Sequence, residues 1–312
     1  MSHLAYQGSR STTARLLGRT KDNLRKFIAP QANWGVNCLA ALSRCTKLQD
    51  LNLSLISEAL GYQELSNAIQ RMSDLRTLRF PRSAAKDDMK LAIFPRVKMH
   101  WPAKLEDLTL SGDLRQFVMW DVSTWEGARP NLPWTIHHLS FEHTNISSHG
   151  FQLTLQQLGS KLTSLKVTSM TNSHFGWPQD EGASILLHLC PNLNTLTVSA
   201  DLLTFTFIAD DEDTVLYPVT KTHQLKHLYI ATPARSGHYI HDELLETIDI
   251  AWAVEEGALP MLRTVTIETY FNAPKEWAMG DLQLHERLKQ RAADVGEDAG
   301  KAGVRWAVLQ PS

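Results

Sequence analysis

The residues of this chain that could do chemistry are few and poorly grouped. The segment Gly296-Glu297-Asp298-Ala299-Gly300-Lys301-Ala302 has the outline of a loop whose backbone N–H groups cradle phosphates. Three residues instead of four separate its glycines, and Ala302 stands where a hydroxyl would have to reach magnesium, so residues 297–303 read as a plain loop. His238, His241 and Asp242 have helical metal-ligand spacing, yet Asp242 is better explained as a cap before a helix. His137, His138, His143 and His149 lie close in sequence, but consecutive strand residues point to opposite faces, which separates His137 from His138. The acidic run Asp210-Asp211-Glu212-Asp213 lacks the alternation of ligands and glycine that a calcium loop needs. No Gly-x-Ser-x-Gly occurs, and none of Cys38, Cys45 and Cys190 pairs with a histidine at an interpretable spacing. The expectation is a protein that is not an enzyme, with no catalytic residue, cofactor or metal.

Order appears elsewhere, in a recurring L-x-x-L-x-L pattern. It runs through KLQDLNL (Leu48, Leu51, Leu53), DLRTLRF (Leu75, Leu78, Phe80), KLEDLTL (Leu105, Leu108, Leu110) and TIHHLSF (Ile136, Leu139, Phe141). It continues through KLTSLKV (Leu162, Leu165, Val167), NLNTLTV (Leu193, Leu196, Val198), QLKHLYI (Leu225, Leu228, Ile230) and MLRTVTI (Leu262, Val265, Ile267). The first positions are 27, 30, 31, 26, 31, 32 and 37 residues apart, a period that signals stacked repeats. The fourth and sixth positions are two apart, so both face one side of a short strand. One such strand cannot bury its apolar face alone, and neighbours must stack into a parallel sheet. The fold class predicted is α/β, a leucine-rich-repeat solenoid of about eight or nine repeats. It would be a right-handed, ribonuclease-inhibitor-like (RNI-like) horseshoe with parallel strands on the concave face and helices on the convex one.

The same register assigns the outward residues. Positions three, five and seven are expected to face the concave side. The third position reads Asp50, Thr77, Asp107, His138, Ser164, Thr195, His227 and Thr264; the fifth reads Asn52, Arg79, Thr109, Ser140, Lys166, Thr197, Tyr229 and Thr266. The seventh adds Ser54, Pro81, Ser111, Glu142, Thr168, Ser199, Ala231 and Glu268. Exposed strand positions favour threonine and serine in any case. As a surface, a polar ladder with scattered charged and aromatic groups suits recognition of another protein. The candidate protein-binding residues are Arg79, Asp107, His138, Lys166, His227, Tyr229 and Glu268.

Helices must return the chain between strands. Leu65, Ala68, Ile69 and Met72 form an apolar stripe at i, i+3, i+4 and i+7. Segments 36–42, 151–158, 183–189 and 243–254 occupy the same place in their repeats, and Gly159, Cys190-Pro191 and Leu259-Pro260 break the chain before strands. Residues 1–23 are expected to form a basic helical cap, with helix reaching Lys26; residues 24–281 form the repeat domain and 282–312 a C-terminal cap. Leu24, Phe27 and Ala29 make a degenerate first repeat. Residues 282–293 read as a polar helix, and 304–308 alternate like a closing strand. Segments 112–135 and 201–222 are insertions.

Composition agrees with a binding protein that is neither nucleic-acid- nor membrane-seeking. The 312 residues carry a formal net charge of −2 and are 43% hydrophobic. That charge gives no electrostatic case for nucleic acid or an anionic membrane. The three cysteines cannot make a disulfide framework. No apolar run suits a signal peptide or a membrane span, so Asn52 and Asn145 are expected to stay unglycosylated and the chain to be cytoplasmic or nuclear.

The repeats also carry a resemblance. Cys45-Thr46-Lys47-Leu48 and Cys190-Pro191-Asn192-Leu193 resemble the C-P-x-L lead-in of F-box leucine-rich-repeat proteins. The stretch from Leu24 through Ser83 is similar to the repeat region of fungal F-box proteins, and the likeness extends over roughly residues 20–270. The resemblance implies a protein-binding repeat module for substrate recognition in an SCF-type ubiquitin ligase, where the F-box docks on the ligase adaptor and the repeats hold the target. Residues 1–23 lack the F-box opening Leu-Pro-x-Glu, so adaptor binding is expected only where a longer form supplies that module. The alternative is a stand-alone adaptor or regulator with no ubiquitin role.

Overall fold

The computed structural model describes residues 12–34, 36–56, 62–79, 82–83, 97–98, 100–112, 117–118, 132–144, 148–168, 187–199, 221–231, 254, 257–268, 283, 290, 294, 297 and 304–309. The chain forms two compact units, Met1–Ile146 and Ser147–Ser312.

In the first unit a helix (α1, 12–20) precedes strand β1 (Lys26–Trp34). Helix α2 (Val36–Leu42), strand β2 (Asp50–Ile56), helix α3 (Tyr62–Gln70) and strand β3 (Thr77–Arg79) follow. Then come the short strands β4 (Arg82–Ser83) and β5 (Val97–Lys98), β6 (Asp107–Gly112), short β7 (Phe117–Val118) and β8 (His138–Thr144). Strands β1, β2, β3, β6 and β8 pair in chain order, all parallel. The second unit opens with helix α4 (Ser148–Leu158), then β9 (Ser164–Thr168), β10 (Thr195–Ser199), β11 (His227–Ala231), β12 (Thr264–Glu268) and β13 (Arg305–Leu309). Its strands also pair in chain order and in parallel. This is a leucine-rich-repeat fold of the α/β class, as the periodicity predicts.

The repeat consensus is visible in the packing. Leu48, Leu75, Leu105, Ile136, Leu162, Leu193, Leu225 and Leu262 at position one are all buried. So are the fourth and sixth positions, from Leu51 and Leu53 to Val265 and Ile267, wherever their side chains are described. Removing each such side chain from water contributes about 1.5–3 kcal/mol, so the stacked seam dominates stability. The stripe on α3 is buried as well: Leu65, Ile69 and Met72 are at 0% exposure.

Backbone hydrogen bonds fix the register from repeat to repeat. The carbonyl at position two accepts the N–H groups of both positions two and three of the next repeat. Arg25 O takes Gln49 and Asp50 (2.7 and 3.0 Å), and Arg76 O takes Glu106 and Asp107 (2.8 and 2.9 Å). In the second unit Lys226 O takes Arg263 and Thr264 (2.8 and 3.2 Å). This satisfies two donors where the chain turns into each strand.

The ends and edges correct some expectations. Helix α1 stops at residue 20 and does not reach Lys26. The amides of Asn23 and Leu24 both donate to Thr20 O at 2.9 Å, and Arg25 must be extended to feed the next repeat. The degenerate first repeat is real, since Phe27 and Ala29 lie in register with Leu51 and Leu53. The closing strand exists, shifted one residue to Arg305–Leu309. The seventh position does not uniformly face outward: Ser199 and Ala231, neighbours in register, are 0% and 7% exposed. Both side chains are small enough for the strand ends to turn into the packed interior. Of the expected helices at 183–189, 243–254 and 282–293, residues 187–189, 254, 283 and 290 are helical and the remainder lie outside the described residues. Most of segments 112–135 and 201–222 also lies outside them.

One repeat builds its strand entry differently. In most repeats the position-one amide closes a tight turn onto the carbonyl three residues back, as Leu193 does onto Cys190 at 3.0 Å. In the β11 repeat the amide of Leu225 donates instead to Nδ1 of His223, at 3.1 Å. The other ring nitrogen, Nε2, donates to Cys190 O at 3.0 Å. His223 is 4% exposed, so a neutral ring bridges two repeats. Burial holds its pKa below the ordinary histidine value, outweighing the Cys190 and Leu187 carbonyls that favour the charged ring. Because the folded pKa is depressed, the stabilisation is complete above the unfolded value of about 6.5 and declines as pH falls below it. Urea melts at pH 7.5 and 5.5 are expected to give a lower midpoint at 5.5 for the parent and a smaller drop for His223→Gln. An equal drop in both proteins would remove His223 from the pH response.

Candidate protein-binding surface

Strand register places the outward side chains in straight rows across each unit. In the first unit the third-position row reads Lys26, Asp50, Thr77, Asp107, His138, and the fifth-position row reads Ile28, Asn52, Arg79, Thr109, Ser140. In the second unit the rows read Ser164, Thr195, His227, Thr264, Arg305 and Lys166, Thr197, Tyr229, Thr266, Ala307. Neighbouring strands lie about 4.8 Å apart, so each row is a line of closely spaced groups, polar except for Ile28 and Ala307, on a rigid backing.

Charges in the first unit largely answer one another. Lys26 Nζ is 2.7 Å from Asp50 Oδ2. Arg79, exposed on β3, forms an ion pair and hydrogen bond with Glu142 on β8, reaching past β6. The Ser140 hydroxyl donates to the other Glu142 oxygen at 3.4 Å. Asp107 is half-buried beside His138, which is exposed. Burial is the largest influence on Asp107 and raises its pKa; nearby Asp50 adds to this, while His138 opposes it. On the strand-entry rim, Arg76 pairs with Glu106 at 3.0 Å and Lys104 with Asp74 at 2.6 Å. The Lys104 hydrogen bond, followed by its charge, lowers the Asp74 pKa. Asn52 Oδ1 is buried with no hydrogen-bond partner among the described residues.

The second unit is dominated by hydroxyls and cations. Lys166 on β9 is half-buried and lies beside Thr197. His227 is exposed, with Nδ1 2.8 Å from Thr264 Oγ1. Tyr229 sits between Thr197 and Thr266 and is half-buried, more enclosed than its outward position alone suggests. Glu268 ends β12 opposite Leu309, and its side chain lies outside the described residues. The sequence candidates thus fall into two groups by unit: Arg79, Asp107 and His138 in the first, and Lys166, His227, Tyr229 and Glu268 in the second. Sequence inspection overlooked Lys26 and Arg305 as members of these rows. The cue was present in the first and last strands, which continue the register.

The groups with catalytic or metal-binding outlines add nothing to the rows. His238, His241, Asp242, the acidic run 210–213 and Gly300 to Ala302 lie outside the described residues. Among the described residues no three His, Cys, Asp or Glu side chains come together. The three cysteines are buried and form no disulfide, and burial pushes the Cys190 thiol up to about 12, which keeps it protonated. Among the described residues no helix is long and apolar enough to cross a membrane.

Fold and rows together define a leucine-rich-repeat protein with a polar sheet face. Two curated proteins match most of the chain. One is F-box protein YDR306C of Saccharomyces cerevisiae, 28% identical over 272 residues, which cover 86% of this chain and 51% of that protein. The other is protein pof5 of Schizosaccharomyces pombe, 25% identical over 268 residues, 84% of this chain and 68% of that protein. The chain therefore spans about half the length of the first relative and two thirds of the second. Among solved structures, the leucine-rich-repeat-containing protein LegL7 of Legionella pneumophila aligns over 96% of this chain and 87% of that one, at 11% identity and a TM-score of 0.44. No family model matches the chain.

Proposed function

We propose that this chain is a protein-recognition module whose outward rows hold a target, and that its role is substrate recognition in an SCF-type ubiquitin ligase. The observation that carries the reading is the pair of in-register rows, which present hydroxyl, amide, aromatic and charged groups on a sheet held by the leucine seam. Such a surface is pre-organised, so binding does not have to order it first. A relative named as an F-box protein, similar over most of this chain, supports the ligase context. In this reading the chain binds and does not catalyse, acts in the cytoplasm or nucleus, and meets the ligase adaptor through an F-box supplied by a longer form. Affinity purification of the tagged protein from fungal cells is the test. Ligase subunits together with a further protein are the expected result. A stable partner without ligase subunits would favour a stand-alone adaptor, and recovery of no protein would overturn recognition altogether.

Within this reading, Arg79→Ala combined with Tyr229→Ala is expected to weaken partner binding on the order of tenfold or more, because aromatic and arginine side chains carry disproportionate interface energy. Thermal stability of Arg79→Ala alone is expected to fall only slightly. The Arg79–Glu142 pair is partly exposed, and such pairs contribute about 0–1 kcal/mol. Titration calorimetry and a thermal melt check both parts. Unaltered affinity would move the binding surface off these rows.

A further inference from the structure

The rim of the second unit differs from that of the first in one electrostatic respect. Arg76 and Glu106, at position two on the first unit's rim, are oppositely charged and paired. The equivalent neighbours in the second unit are Lys226 and Arg263, of like charge. The Lys226 carbonyl accepts from the Arg263 amide at 2.8 Å, and the Arg263 carbonyl accepts from the Arg305 amide at 2.9 Å. Lys226 and Arg263 are thus position-two neighbours about 5 Å apart at the backbone, and Arg305 follows one residue further along, at position three of the next strand, in register with Thr264. Among the described residues no carboxylate forms an ion pair with Lys226, Arg263 or Arg305. Like charges at this spacing are unfavourable until an anion relieves them.

The neighbours extend the same character. Arg305 shares its row with Thr264 and His227, which already hydrogen-bond to each other. The third- and fifth-position rows of this unit contain no acidic residue. The first unit has Asp50 and Asp107 in its third-position row.

We propose that the Lys226, Arg263 and Arg305 corner of the second unit docks an acidic, Asp- and Glu-rich segment of the partner protein. The proposal rests on the protein-recognition reading and specifies which chemistry the partner brings. An extended peptide advances about 6.6–7 Å every second residue, so carboxylates at alternate positions could span the three cations within about five residues. Carboxylates bound to ammonium or guanidinium groups form charge-assisted hydrogen bonds, which are shorter and stronger than neutral ones.

The test uses the full chain and a fluorescein-labelled decapeptide of alternating Glu and Ser, followed by anisotropy at low and moderate salt. The expected result is saturable binding that weakens with salt and disappears when every Glu of the peptide is replaced by Gln. The double variant Lys226→Gln, Arg263→Gln is expected to lose roughly tenfold in affinity, and adding Arg305→Gln to abolish binding. Arg76→Gln, on the first unit's rim, is expected to change affinity less than about twofold. The proposal falls if the triple variant binds like the parent, if the Gln peptide binds equally, or if Arg76→Gln does the same damage. It also falls if a phosphoserine decapeptide without Glu, an RNA duplex or anionic vesicles displace the probe at lower concentration than the unlabelled Glu–Ser peptide. A cellular partner that is lost with Arg79→Ala, Tyr229→Ala but retained by the triple variant would leave the recognition reading standing and remove only this corner.

Discussion

Leu108→Asp is expected to abolish the folded state. Leu108 is fully buried on β6, in register between Leu78 on β3 and Leu139 on β8. An aspartate there would place a carboxylate against three stacked repeats with no cation to meet it. Removing the leucine alone costs about 2–5 kcal/mol, and an unpaired buried polar or charged group adds several more. Domains are stable by only about 5–15 kcal/mol, so the sum is comparable to the whole. Repeat proteins add a further sensitivity, because each repeat is stable only through its neighbours. Thr109→Asp, one residue along on the outward face, is expected to cost within about 1 kcal/mol. Circular dichroism and thermal melts of the two variants decide the register. A parent-like melt for Leu108→Asp, with collapse of Thr109→Asp, would invert the two faces of the sheet.

Gly159→Ala is expected to be the second most damaging change, and the reason is backbone crowding. A Cβ at Gly159 would collide with the Leu189 carbonyl oxygen, sit 2.9 Å from the Leu189 carbonyl carbon, and lie 3.1 Å from Cys190 Sγ. The first two are main-chain atoms of the next repeat, so no side-chain rotation can relieve them. Separation of the repeats would open the seam around Leu162 and Leu193, both fully buried. The overpacking cost is about 3 kcal/mol or more, above the usual gain of about 0.4–1 kcal/mol from stiffening the unfolded chain. Gly18 provides the opposite control. It lies in α1 with nothing within 4 Å of an added Cβ, so Gly18→Ala is expected to stabilise by about 0.5–1 kcal/mol. Urea denaturation of both variants checks the pair of signs; a neutral Gly159→Ala would mean that adjacent repeats are looser than this close approach implies.

What could be read from sequence follows from which features repeat. Positions one, four and six recur eight times with the same hydrophobic demand, so a single alignment located the seam from Leu48 to Ile267. Even the degenerate first strand was legible, because Phe27 and Ala29 keep the two-residue spacing. Features that occur once were not. His223 replaces a backbone acceptor with an imidazole in one repeat, and Thr222-His223-Gln224-Leu225 where another repeat has Cys190-Pro191-Asn192-Leu193 was its only trace. Gly159 was legible as a chain break, but the approach of Leu189 across the repeat boundary needed coordinates. Position seven failed where Ser199 and Ala231 turn inward, since small residues satisfy a strand end in either direction. Of the site, the outward rows were legible and the charge pairing within them was not. Arg79 and Glu142 are 63 residues apart and meet only because intervening β6 brings β3 and β8 within reach.

The central claim, that the outward rows are where a partner is held, can be tested by thiol labelling of Thr197→Cys. Thr197 lies at position five of β10 between Lys166 and Tyr229, and the native cysteines Cys38, Cys45 and Cys190 are buried, so background labelling is slow. In the free protein the introduced thiol is expected to react readily with a maleimide probe. With the co-purified partner bound, labelling at that position is expected to slow by at least an order of magnitude. Equal labelling rates in the free and bound protein would place the partner elsewhere and contradict the account.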